Sequence, residues 1–288
     1  MRSVLSALTL LLERTSPMVD KIYLVELKRI FRLPLLVGVI GTALCFYLDE
    51  MEFIKMTINN PMALGEGSVS CVLHYITGSY VLGGVFCSYL MPIFSALPYA
   101  SSYCVEETDQ FIAYKIARSG KKTYSSAKTL MTSVGGGLAT LLGTLLFAVA
   151  LSTYLPLTTP QYIMESQILP FGSLLSQNDG VPFLLVVTYL VTLSGALWAE
   201  AGLWISAYLP NPYVSLCFPM LFKFLMTQIG RLLRLPDGLR LDRLLSANGI
   251  FISDEITLVV VTVAVVALIV LMGKNFQRRT ERRMENAS

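Results

Sequence analysis

Six apolar runs, separated by shorter polar stretches, set the plan of this chain. They cover about 33–48, 69–100, 129–154, 181–209, 213–229 and 256–272. A helix rises about 1.5 Å per residue, so about 20 mostly apolar residues cross the hydrocarbon of a bilayer. A lipid-embedded backbone must satisfy its own polar groups, and a helix does so residue by residue. The pattern therefore predicts an all-α integral membrane protein, one domain over 1–288 with six transmembrane helices.

Details inside the runs refine this plan. Pro34 stands at the start of the first, where its missing N–H costs least. The second holds Gly78, Gly83, Gly84, Pro92 and Pro98, and the third holds Gly135, Gly136 and Gly137. Such residues permit kinks and close helix contact. Pro210-Asn211-Pro212 is a tight-turn signal, which makes the fourth and fifth runs an antiparallel hairpin.

The stretches between runs differ in character. After the first comes an acidic loop with Asp49, Glu50, Glu52 and Glu66 against Lys55. Residues 155–180 form a loop with three prolines and no Lys or Arg, and 231–254 is amphipathic and too polar to cross. Residues 4–12 follow Arg2 like a weak signal peptide, but the run is short and no small-x-small cleavage site follows, so it reads as retained.

Residues 19–31 have helical periodicity. Val19, Ile22, Tyr23, Ile30 and Phe31 share a face, while Asp20, Lys21, Glu26, Lys28, Arg29 and Arg32 are expected toward water. That is the pattern of a helix lying in the membrane interface.

Composition agrees with lipid as the solvent. Of 288 residues, 54% are hydrophobic and only 14% charged, against about 25% charged in soluble domains. The net charge of +3 says less than its distribution. With both termini cytosolic, the inner segments hold sixteen Lys and Arg and the outer ones five, with Lys223 inside a run. That bias favours this orientation and an even number of crossings. No basic patch with interleaved aromatics suggests nucleic acid as a partner.

Candidate chemistry is sparse. His74 is the only histidine, and the five cysteines form no CxxC pair, so neither a metal site nor a redox centre is expected. No GxxxxGK[ST] loop is present, so the chain is not expected to bind ATP through a P-loop itself. The reading is of a protein without catalytic residues or cofactor. Two ionisable groups stand inside apolar runs, Glu200 and Lys223. Counted from the turn they lie at matching depth, roughly 15 Å from it. An ion pair across the hairpin is the expectation, with Glu200 lining a substrate pathway as the alternative.

The segment 106–128 carries a family likeness. Glu106, Glu107 and Thr108 precede a short amphipathic stretch, and Arg118, a small-polar turn, Tyr124 and Lys128 lead into the third run. This resembles the loop between the second and third spans of the permeases of type-2 ABC exporters. Asp109 and Gln110 stand where that family usually has a glycine. A second likeness is Gly202-x-x-x-Ser206 followed by Asn211, Tyr213 and Pro219.

The resemblance implies a cytosolic coupling helix that docks on a separate ATPase through Glu106, Glu107, Thr108, Lys115, Arg118, Tyr124 and Lys128, with both glutamates exposed. It also implies a second permease copy or paralogue, a bacterial plasma-membrane location, and a substrate that is an amphipathic peptide, drug or lipid-like molecule. Two rivals stand beside it: an ion-coupled secondary transporter, and a membrane scaffold or immunity protein that transports nothing.

Overall fold

The computed structural model describes residues 18–59, 69–250 and 252–287. The apolar run at 4–12 and the loop residue Glu66 lie outside the described residues. Helices dominate, and no strand occurs among the described residues. Five helices are long and apolar enough to cross a membrane, so the chain is a multi-pass all-α membrane protein.

Helix α1 is Met18–Ile30 and α2 is Leu33–Asn59. Then come short pieces: α3 (Val72–Ile76), a π-helical turn Thr77–Val81, α4 (Val85–Tyr89), α5 (Met91–Ala96), α6 (Ser102–Thr108) and α7 (Phe111–Ser119). The long α8 covers Lys121–Ser152, α9 is Pro160–Glu165, and α10 and α11 are Val181–Ser206 and Pro212–Leu232. A short α12 (Leu241–Leu245) precedes α13, Asp254–Ala287.

Helices α8 and α10 form the centre. Lipid offers no hydrophobic drive between helices, so close approach of small residues must hold them. A Cβ added to Gly136 would lie 2.6 Å from the Gly195 carbonyl oxygen, and one on Gly195 2.8 Å from that of Gly136. Glycine at both positions lets the two backbones touch. Thr140 on α8 closes the seam by donating its hydroxyl to the Val191 carbonyl at 3.3 Å. Helix α13 packs more loosely, with Val259, Val263, Val266 and Val270 exposed on a face suited to lipid.

The 69–100 run is not one helix, which corrects the second predicted span. Gly83 takes φ +90, a left-handed conformation that glycine reaches without steric cost. Pro92, near the start of α5, has no N–H to give. The chain breaks at both places and restarts. Asp49 of α2 caps the restart, accepting from the Phe86 and Cys87 backbone N–H groups at 2.9 Å each. The broken segment still runs antiparallel to α2. Tyr75 bonds Thr57 at 2.7 Å, the Ser79 hydroxyl reaches the Phe46 carbonyl, and Phe94 lies against Gly41 and Gly38.

Three other boundaries move. Helix α2 continues to Asn59, so Asp49, Glu50, Glu52 and Lys55 are helical rather than in a loop. Helix α8 begins at Lys121, ahead of the expected 129. Helix α13 continues through the basic tail to Ala287. Polar residues end an apolar run without ending a helix.

Candidate functional site

The hairpin forms as expected. The Asn211 side chain accepts from the Tyr213 N–H at 2.9 Å and caps α11, with Pro212 opening the helix. The Glu200–Lys223 pair does not form. Trp198 faces α11, its ring 6.2 Å from that of Phe222. Two residues along a helix is a rotation of about 200°, so Glu200 turns to the far side. There its Oε2 accepts from the Ser133 hydroxyl at 3.2 Å, and its Oε1 has no hydrogen-bond partner among the described residues. Lys223, one step round from Phe222, donates to the Cys87 carbonyl at 3.4 Å instead. The depth argument held no information about helix phase.

Charge gathers at one end of the bundle, where α1, α6, α7 and the start of α8 meet. Glu106 is only 2% exposed, against the expectation that it faces water. Its Oε1 accepts from Lys115 at 2.5 Å and Lys128 at 2.8 Å, and pairs with Arg29; its Oε2 accepts from the Tyr124 hydroxyl at 2.7 Å. Glu26 is also buried. It accepts from Arg29 at 2.9 Å, Lys115 at 2.8 Å and the Tyr99 hydroxyl at 2.5 Å. Lys128, fully buried, completes its shell with Ser102 at 3.0 Å and Tyr99 at 3.2 Å.

Two carboxylates thus share three cations, and each buried charge is hydrogen-bonded, the condition under which burial is tolerable. Burial pushes both carboxyls upward, but Lys128, Lys115 and Arg29 outweigh it. Glu26 falls from about 4.5 to about 2, and Glu106 is lowered as well. The interfacial-helix reading is corrected at Glu26, which points inward instead of to water; on the apolar face Ile30 is buried, in keeping with the expected contact, and Phe31 is exposed. The Val19, Asp20 and Ile22 side chains lie outside the described ones.

Compared with protein-family models, curated proteins and solved structures, the chain matches none.

The remaining sequence-predicted residues surround this network. Glu107 is partly exposed and pairs with Arg283 of α13 at 2.8 Å. Thr108 donates back to the Cys104 carbonyl within α6. Gln110 takes φ 58, where a glycine would be at ease, and Gly120 takes φ 81. These two turns bracket α7, a nine-residue helix. It buries Ile112, holds Lys115 inward, and leaves Arg118, Phe111 (57%) and Tyr114 (67%) exposed. Sequence reasoning missed Glu26, Arg29, Tyr99 and Ser102. The one available signal was a carboxylate on α1 spaced three residues before Arg29.

Proposed function

We infer that this chain is the membrane permease subunit of an ATP-driven exporter, with hydrolysis supplied by a separate ATPase. The observation that carries the reading is the clamped helix α7. It sits across the end of the bundle with two aromatic rings outward, and the Glu106–Lys115–Lys128–Glu26–Arg29 network bolts it to α1, α6 and α8. A force applied to such a helix moves the long helices as a rigid body, since no side chain in the lock can be released cheaply.

In this reading α7 is the coupling helix, the charged end is cytosolic, and the broken 69–100 segment is the sixth crossing, running the length of α2. A second copy or paralogue completes the pathway. The resemblance of 106–128 to type-2 exporter permeases supports the same assignment. The bacterial plasma membrane is the expected location, and the substrate class remains amphipathic.

The test is purification of the native complex followed by Phe111→Asp with Tyr114→Asp. Wild type should bring down an ATPase in stoichiometric amount. The double variant should fold and insert normally but lose that ATPase. Wild type without any ATPase ends the reading.

A second reading has its own observation. The fully buried Glu200, beside a broken helix, is the furniture of an ion-coupled transporter. Uptake driven by a proton gradient in ATPase-free vesicles, lost in Glu200→Gln, would put it first.

A further inference from the structure

At the other end of α11 a cavity of about 250 Å³ opens between α10, α11, the break before α4, and α12. Lys223, Arg231, Arg240 and Arg243 line it, against one lining carboxylate, Asp242. Not all of that charge is free. Arg240 is held by Asp242 at 2.8 Å and by Asp237 at 3.6 Å, and Arg243 reaches Asp237 at 3.9 Å. Among the described residues, neither Lys223 nor Arg231 has a carboxylate within 4 Å. The nearest candidates are occupied: Asp49 caps α4 and Asp242 holds Arg240.

Trp198, 2% exposed, lines the cavity with its ring. The site therefore holds two cations, Lys223 and Arg231, with no carboxylate partner among the described residues. Both want the same thing, an anionic oxygen. The floor is fixed by the Tyr80 hydroxyl, 3.1 Å from Ser194 Oγ and 3.0 Å from the Leu245 carbonyl. The lip is apolar: Leu82, Val85, Tyr89 and Phe224 are exposed beside it.

From this we propose that the cavity binds the anionic head of an amphiphile, a phosphate or carboxylate, between Lys223 and Arg231 and beside the Trp198 ring, with its apolar tail over Leu82, Val85 and Phe224. The site stands whether or not an ATPase drives the chain.

Trp198 and Trp204 are the only tryptophans, so Trp204→Phe makes emission a local reporter. The protein is placed in phosphatidylcholine nanodiscs with increasing phosphatidylglycerol. Trp198 emission should shift saturably, and Arg231→Gln or Lys223→Gln should weaken the apparent affinity roughly tenfold, the loss expected for one charge-assisted bond. Arg231 is exposed, so its variant keeps the test open if Lys223→Gln fails to fold. Inorganic phosphate forms the second arm. No response at matched concentration supports an amphiphile, whereas an equal response overturns the role of the apolar lip. An equal shift in pure phosphatidylcholine, or a titration unchanged in Arg231→Gln, overturns the site.

Discussion

At the Glu106 end, two buried carboxylates are shared by three cations, and the network joins four helices. In the cavity beside Lys223, cations outnumber the carboxylates that reach them. Both regions desolvate charge in a chain with little of it. The first satisfies its charges from within and so has nothing to offer a ligand. The second leaves them open. A charged cluster is a lock or a receptor according to whether its own hydrogen bonds close.

The sharpest way to break this contrast is at Glu106. Glu106→Lys places four cations around one carboxylate, and Glu106→Gln leaves Lys128 buried with only Glu26, at 3.9 Å, to balance it. Removing one partner from a buried pair costs about 3–5 kcal/mol. Folded yield should collapse for the lysine variant and thermal stability should fall steeply for the glutamine one, by fluorescence size-exclusion in detergent. Glu107→Lys should cost far less, because it and its partner Arg283 are both part-exposed and such pairs contribute about 1 kcal/mol or less. Equal losses at 106 and 107 would dissolve the distinction between lock and surface.

Acid sharpens the same comparison. The folded state holds the Glu26 carboxyl at about 2, below its ordinary 4.5. Its contribution is fully present above about pH 4.5 and drains as pH falls toward 2. Thermal midpoints should drop over that window, and Glu26→Gln should start lower and show a shallower slope. A parallel slope in the variant would mean that other carboxyls carry the acid sensitivity.

The smallest effect is expected at the turn before α7. Gln110→Gly suits φ 58 and should leave stability within about 1 kcal/mol of wild type, since relieved strain and added chain entropy oppose each other. Gln110→Val, β-branched at a positive φ, should cost about 1–2 kcal/mol and loosen α7. Hydrogen exchange of 111–119 would report it.

The long helices were legible because lipid demands a long apolar run, and five of six runs form one. The helix ends were not, since residues such as Asp49 and Lys121 favour water but do not oppose helix. The break at 77–90 was half legible: Gly83, Gly84 and Pro92 mark weak points, but the cap that makes a break tolerable comes from Asp49, more than thirty positions earlier. The sequence drew attention to 106–128, but the burial of Glu106 was missed. Glu26 and Arg29 complete that network from 77 positions away or more, and no periodicity within α1 announces a partner so distant. Glu200 and Lys223 taught the converse. Their depth could be counted from a turn, but the face each presents depends on which large rings, here Trp198 and Phe222, occupy the seam.

Asp49 has one more consequence. A helix ordinarily carries its own cap, so it can slide along a neighbour and lose only packing. Here α4 borrows its cap from α2, and the loan is exact to a single residue. An axial shift of one turn, about 5.4 Å, would strand two amide protons without the carboxylate that now takes them. The two helices are therefore indexed like gear teeth, and any rearrangement that shears this side of the bundle must either carry α2 and α4 together or find those amides another oxygen.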